Sequence, residues 1–366
     1  MRGSSAGLPD TFQGNGTTYY TLITVLDLLF SAIVVCPCVV AYWRSVWTLM
    51  DIYVVPQNKL ISAAISTCLD KNRIVFYIVS RLYTISYAFV CVNGWRGPWD
   101  ILTVHTQKDF KSLLVTTAVG LVALISMRAL RNVSSPPCVI VNDTVKGYFE
   151  VLTMFRVTAV TEKVSLFILD SLFSVLVVGV LVVFVWRGLW IIVELLLFPE
   201  DKSASAKGSL ILGYTIIAII YVMQPIVRSV CSKLSGASRL LFADLFIIVS
   251  LVGTINVWRG LWMTLDLYFL PENLALSCWI ALTTSLVLLI LLGCANSLVV
   301  RGVFIDAEEP NEKLKKINKK MMTTENKPDK MENCTINNHV VSIAMINVHE
   351  HSNCKKENLE LDVNVL

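Results

Sequence analysis

Four copies of Trp-Arg-x-x-Trp hold the residues of this sequence best suited to chemistry: Trp43, Arg44 and Trp47; Trp95, Arg96 and Trp99; Trp186, Arg187 and Trp190; Trp258, Arg259 and Trp262. Eight of the nine tryptophans lie in them, which chance placement of a rare residue does not produce. In three copies an acid stands four residues after the second Trp (Asp51, Glu194, Asp266) and a proline stands nine after it (Pro56, Pro199, Pro271). The second copy has neither. Each arginine precedes its acid by seven residues, two helical turns on nearly one face, so the charges can pair within a copy or between neighbouring copies. Such pieces on one face could ring the mouth of a pore with guanidinium and carboxylate. The simpler reading follows from the indoles: two Trp four apart share a helix face, and Trp favours the headgroup level of a bilayer, so the signature is first an interfacial anchor.

Charges inside apolar segments mark transport paths more often than surface charges do. Asp27 and Asp170 each precede the first Trp of their signature by sixteen residues, and Arg81 and Asp244 precede theirs by fourteen. Sixteen residues rise about 24 Å, so Asp27 and Asp170 are expected near helix ends, where the positive end of the helix dipole favours a carboxylate. Arg81 stands among apolar turns, and its expected partner is Asp27, Asp170 or Asp244. Gln224-Pro225 and Arg228 are expected to form a kink or to join that cluster. No catalytic constellation accompanies these charges. A phosphate loop and a Ser/His/Asp arrangement are both lacking, and His105 is the only histidine before the tail, so an enzyme and a cofactor are not expected. His349, His351 and Cys354 lack the second ligand pair a metal site needs.

The elements that position these residues must be membrane helices. The chain has 366 residues, of which 55% are hydrophobic and 16% charged, with a mean hydropathy of +0.65. Runs of about 20 apolar residues suffice to cross a hydrocarbon core of roughly 30 Å, and they lack the alternation of barrel strands. Spans are expected over 19–42, 74–92, 110–130, 164–185, 209–230, 240–257 and 274–300, with a short eighth candidate at 59–69. Cys36, Cys38, Cys68, Cys91, Cys278 and Cys294 fall in apolar segments and read as small hydrophobes. The predicted fold class is all-α: a polytopic membrane protein of about eight transmembrane helices built from four two-helix repeats, with a disordered C-terminal tail.

A polar segment covers 1–18, and the first apolar run is expected to act as its own insertion signal. The transmembrane domain covers 19–305, in halves of about 19–131 and 164–305 joined by a linker at 132–163; a cytoplasmic tail covers 306–366. The apolar stretch around the third signature is longer than a bilayer requires, so the chain is expected to bend after Arg-Gly, at Gly188 and Gly260. Eight spans would put all four signatures on one face. The excess of Lys and Arg on the other face makes both termini cytoplasmic and leaves the sequons at Asn15, Asn132, Asn142 and Asn333 unused. In the tail, Lys313, Lys315, Lys316, Lys319 and Lys320 form a basic block; solvated chain is the simpler reading and anionic lipid the alternative partner.

The four signatures, the matching stretches 185–200 and 257–272 and the eight-span count resemble the Fuseless family of neuronal membrane proteins. The resemblance covers about 19–305 and rests on the Trp-Arg-Gly-x-Trp copies. It implies an eight-pass protein of the plasma membrane at the presynaptic terminal. The implied role is supporting the localisation or organisation of voltage-gated calcium channels, with a channel or presynaptic scaffold as partner. The alternative is a transporter or channel whose polar path uses Arg81 and the helix acids.

Overall fold

The computed structural model describes residues 21–53, 73–106, 109–139, 141, 143, 151–157, 164–300 and 302–306. The short candidate span at 59–69 and the basic block of the tail lie outside the described residues. Contacts divide the chain into Met1–Glu308 and Glu309–Leu366, and the description that follows concerns the first unit.

Every regular element among the described residues is helical. Helix α1 (Thr21–Phe30) continues through a π turn (Ser31–Val35) into α2 (Cys36–Tyr53). Helices α3 (Arg73–His105) and α4 (Phe110–Ser126) follow. Helix α5 (Val164–Phe173) passes through a second π turn (Ser174–Gly179) into α6 (Val180–Leu196), and α7 (Lys202–Lys233), α8 (Gly236–Tyr268) and α9 (Leu274–Leu291) complete the set. Five of these helical stretches are long and apolar enough to cross a membrane: Leu26–Ile52, Val164–Leu196, Lys202–Lys233, Gly236–Tyr268 and Leu274–Leu291.

Local chemistry sets the ends. The side chains of Asp109, Asp201 and Asn273 accept from the amides of Ser112, Ala204 and Leu276 at 3.1, 3.0 and 3.0 Å, capping α4, α7 and α9. Phe198 and Leu270 both adopt φ of +51° just past α6 and α8, and a proline follows each, since it cannot continue a helix. Ser205 Oγ and Ser277 Oγ then donate to the carbonyls of Leu197 and Phe269 at 2.5 and 2.6 Å, tying each connection to the next helix.

The expected bend after Arg-Gly does not occur. Helices α6 and α8 run straight through the signature, and the two glycines serve close packing instead. A Cβ on Gly188 would lie 1.8 Å from Thr117 Oγ1, and one on Gly260 would lie 2.7 Å from Leu210 Cγ. Small residues admit a neighbouring helix at backbone distance, the usual device where apolar lipid offers no hydrophobic drive. The long signature helices therefore carry their acids on the same rod as their arginines.

Two other expected boundaries also shift. The apolar run 274–300 is helical only to Leu291, and 110–130 only to Ser126. Each is followed by a short 3-10 turn, Leu130–Val133 and Ala295–Leu298, whose residues are largely buried. The linker at 132–163 is thus not a surface loop at its start: Val133 and Cys138 are 1% exposed and belong to the core.

The helices close into a ring. α2 packs on α3, α3 on α6, α6 on α8 and α8 on α2, so the four signature helices surround one axis. Outside them α4 lies along α6, α7 along α8 and α9 along α2. The last helix thereby clasps the first signature helix.

Candidate functional site

The eight signature indoles form two closed squares on that axis. Trp43, Trp95, Trp186 and Trp258 make edge-to-face contacts in cyclic order, with centroids 5.5, 5.4, 5.3 and 5.8 Å apart. One turn on, Trp47, Trp99, Trp190 and Trp262 do the same at 5.6, 5.9, 5.9 and 6.0 Å. Edge-to-face geometry sets the positive rim of one ring against the negative face of the next, worth about 0.5–1.5 kcal/mol per pair beyond area. Since both squares use the copies in the same order, the four signature helices run parallel.

Three of these indoles are buried inside the bundle. Trp43, Trp186 and Trp258 are 5%, 2% and 6% exposed, and their N–H groups are committed inward. Trp43 Nε1 donates to Leu298 O at 3.0 Å, Trp186 Nε1 to Val133 O at 2.9 Å and Trp258 Nε1 to Pro136 O at 2.7 Å. The two 3-10 turns and the chain after them thus floor the collar. The ninth tryptophan, Trp279, is 50% exposed on α9. A cavity of about 560 Å³ is lined by all eight signature indoles and by floor residues such as Asn132, Ser134, Ser135 and Val299. Ser134 Oγ is a buried atom there without a hydrogen-bond partner.

Outside the collar the signature arginines form a belt that runs between copies. Arg44 Nε donates to Asp266 Oδ1 at 2.7 Å, with Ser277 Oγ 3.5 Å from Nη1. Arg96 pairs with Asp51 at 2.5 Å and reaches Asp100 at 3.4 Å. Arg259 donates to Ser209 Oγ and Ser205 Oγ at 2.5 and 2.8 Å, and Glu194 is the carboxylate whose charge acts on it. Arg187 donates to Thr103 Oγ1 at 3.1 Å and to Thr106 O at 3.4 Å. Arg44, Arg96 and Arg187 therefore each bond to the residue four past the second Trp of the preceding copy, with Thr103 in that position where the second copy lacks an acid, while Arg259 bonds to two serines of α7. Of the two pairings the spacing allowed, the fold uses the one between neighbours.

The charges nearer the opposite end are spread apart. Arg81 pairs with Asp143 rather than with Asp27, Asp170 or Asp244, because the linker re-enters the bundle and supplies a carboxylate there. Asp170, 2% exposed, does not cap its own helix either. Its oxygens accept from Thr153 Oγ1 at 2.5 Å, Phe155 N at 3.0 Å and Val157 N at 3.1 Å, holding the incoming linker against α5. Asp27 is partly buried, and its carbonyl accepts from Ser31 Oγ at 2.6 Å. Asp244 is 3% exposed, and neither carboxylate oxygen has a hydrogen-bond partner. None of Asp27, Arg81, Asp170, Glu194, Asp244 and Asp266 lines the axial cavity.

Asp143 and Asp306 were not legible from spacing. Asp143 accepts from Asn296 N at 2.8 Å and Ala295 N at 3.3 Å. Asp306, buried at 3%, accepts from Leu130 N at 2.7 Å and Arg131 N at 2.9 Å. Each caps the 3-10 turn of the other half. Burial pushes the Asp306 carboxyl above the ordinary carboxylate range, against those two bonds and the nearby Arg131 and Arg128.

No group of three or more His, Cys, Asp or Glu that could hold a metal ion occurs among the described residues. A family model described as Fuseless matches residues 22–70 and 65–299. No curated protein and no solved structure matches the chain.

Proposed function

The chain belongs to the Fuseless family, and from that premise we propose that it is a non-enzymatic membrane protein of the presynaptic terminal that supports the placement of voltage-gated calcium channels and so transmitter release. The supporting observation is the pairing of Arg81 with Asp143, away from the axial cavity. A charge engaged in packing and off the cavity serves architecture, and a bundle held together in this way suits a protein whose work is contact with partners.

The same reading includes eight crossings built as four two-helix units, with both termini cytoplasmic in the plasma membrane. The parallel run of the four signature helices supports it. Asn132 supports the orientation: its amide nitrogen donates to Ala129 O and Phe304 O at 2.7 and 2.9 Å and its oxygen accepts from Phe304 N at 2.8 Å, so it is not offered as a glycan acceptor. Lys313, Lys315, Lys316, Lys319 and Lys320 would then face anionic cytoplasmic lipid, at about 1 kcal/mol per charge.

The test is to delete the gene product in neurons and measure calcium-channel density at release sites, alongside flux through purified protein in liposomes. Reduced channel density that is restored by a flux-silent protein is the expected result; unchanged density overturns the reading. A second reading, a transporter or channel, is favoured by the cavity of about 560 Å³ on the axis. Robust flux abolished by Trp47→Ala, in the absence of any channel phenotype, would establish it instead.

A further inference from the structure

Three of the four signature helices carry a second helix along their outer side, and each time it comes from the preceding copy: α4 lies along α6, α7 along α8 and α9 along α2. Among the described residues α3 has no such neighbour. The glycine that follows the signature arginine reports the difference. A Cβ on Gly188 would lie 1.8 Å from Thr117 Oγ1 and one on Gly260 2.7 Å from Leu210 Cγ, whereas a Cβ on Gly97 would meet nothing within 4 Å. On the same face of α3, Val90, Ile101 and Val104 are 40%, 60% and 78% exposed. Arg96 keeps 23% of its side chain exposed, where Arg44, Arg187 and Arg259 are 0%, 1% and 2% exposed.

Two of the outer helices also begin alike. Asp201 and Asn273, each eleven residues past the second Trp and two past the proline, cap α7 and α9. Ser205 and Ser277, four residues further on, face the arginine of the following copy: Arg259 Nη2 donates to Ser205 Oγ at 2.8 Å, and Arg44 Nη1 lies 3.5 Å from Ser277 Oγ. The first copy has the same residue types at the same spacing. Asn58 stands eleven past Trp47 and two past Pro56, Ser62 matches Ser205 and Ser277, and Ser66 matches Ser209, the second serine that holds Arg259. From Leu60 to Leu69 no residue is charged.

Lipid covers an apolar face as readily as protein does, so the occupant is chosen by what is specific to it. The chain between α2 and α3 leaves one helix at Tyr53 and enters the other at Arg73, so it is tied at both ends to helices that border the open face. We propose that the uncovered face of α3 is the docking site of 58–69, which seats there as the outer helix of the first copy, capped by Asn58, with Ser62 and Ser66 accepting from Arg96. The inference rests on the two-helix unit proposed above and adds to it a seat, a register and a second set of partners for Arg96 beyond Asp51. The register follows from the fourth signature, where Leu210, eleven past Pro199, lies against Gly260 and the two helices run antiparallel. Eleven past Pro56 is Thr67, which this register sets against Gly97. Close approach at glycine is the device already used by α4 and α7. Twelve residues make about 18 Å of helix, enough for the signature end of α3 and not for its first turns, where Ile78 and Leu82 are 52% and 59% exposed.

The experiment is disulfide trapping in the full chain in liposomes, with Thr67→Cys and Gly97→Cys in a background of Cys68→Ser and Cys91→Ser, read by mass spectrometry of the joined peptides. Oxidation is expected to join 67 to 97 in most molecules, and to leave Thr67→Cys unjoined to Val90→Cys, about 10 Å further along α3. Absence of the 67–97 bond in a folded chain overturns the proposal. If the pair does not fold, Gly97→Leu supplies the second measurement: a filled seat loses about 5 °C of melting temperature by overpacking, and unchanged melting means that lipid covers the face and overturns the proposal. Gly97→Cys that by itself links two chains puts a second copy on the face and overturns it as well. Impermeant maleimide on Asn58→Cys and Asn72→Cys separates the inference from its premise. Labelling from opposite sides of the membrane without a 67–97 bond keeps the two-helix unit and overturns the seat; labelling from one side overturns the unit itself.

Discussion

Arg44 Nε donates to Asp266 Oδ1 at 2.7 Å across 222 positions of sequence, so the fourth signature's acid holds the first signature's arginine. That bond closes a belt whose other links each join neighbouring copies. Arg44 is fully buried while Asp266 is 43% exposed, which makes the two ends unequal. Arg44→Ala deletes a buried side chain and frees Asp266 to water, with a loss of about 3 kcal/mol, mostly from packing. Asp266→Asn leaves an acceptor in place and should cost about 1 kcal/mol, since the exposed end is partly screened. Denaturant unfolding of both single variants and the double variant measures the coupling; additive effects would show that the belt does not close through this pair.

Thr103 is where the belt lacks an acid. Arg187 Nε meets its hydroxyl at 3.1 Å, at the position filled by Asp51, Glu194 and Asp266 in the other copies. Thr103→Asp should raise stability by about 0.5–1 kcal/mol, the small value reflecting an exposed site. The gain should shrink in high salt and vanish in the background of Arg187→Gln.

The signature itself was the most legible part of this chain, and its direction was the least. Spacing put two indoles on one face, and composition put them in a membrane, but the preference of Trp for the headgroup level pointed them outward. Trp43, Trp186 and Trp258 turn inward because the carbonyls of Leu298, Val133 and Pro136, respectively, are brought to the axis by segments that follow α4 and α9. That return is a tertiary event with no local pattern. For the same reason Arg81 was assigned a helix partner: Asp143 sits in a polar stretch whose burial depends on the 3-10 turn at 295–298. Thr103, by contrast, could have been found by extending the register of the acids to the second copy.

Inward indoles and one outward indole make a sharp optical prediction. Trp279, 50% exposed on α9, is the most exposed tryptophan and the one that a brominated lipid is expected to reach by contact. Quenching in such bilayers should therefore be confined to a minor fraction of the emission and be removed by Trp279→Phe. Trp186→Ala, by comparison, removes a buried indole and should cost about 3–5 kcal/mol. Strong quenching that persists in Trp279→Phe would put the collar against lipid.

Cys138 offers a test of the floor. It is 1% exposed, and its sulfur lies 3.5 Å from Thr254 Oγ1 on α8. Burial raises its thiol from the usual range to about 11, so at mildly alkaline pH the reactive thiolate is scarce. A variant keeping Cys138 as its single cysteine should resist maleimide in the native state and label fully once denatured. Fast native labelling would mean that the segment after the 130–133 turn is open to solvent.

The contact of Gly188 with Thr117 gives the final prediction. Gly188 leaves room for Thr117, whose Oγ1 would lie 1.8 Å from an added Cβ, and that hydroxyl also donates to Leu113 O at 2.7 Å. Gly188→Ala therefore cannot be absorbed by a small rotation of the threonine without surrendering its bond, and overpacking of this kind costs about 1–3 kcal/mol. Trimming the opposite residue removes the clash, so Thr117→Ala should restore most of the stability lost in Gly188→Ala while itself costing little. The pair is measured by thermal unfolding of four proteins in the same detergent. A helix that bent at Gly188 would instead tolerate alanine by straightening, and the two substitutions would then act independently; their coupling is what shows that this glycine exists for contact with α4.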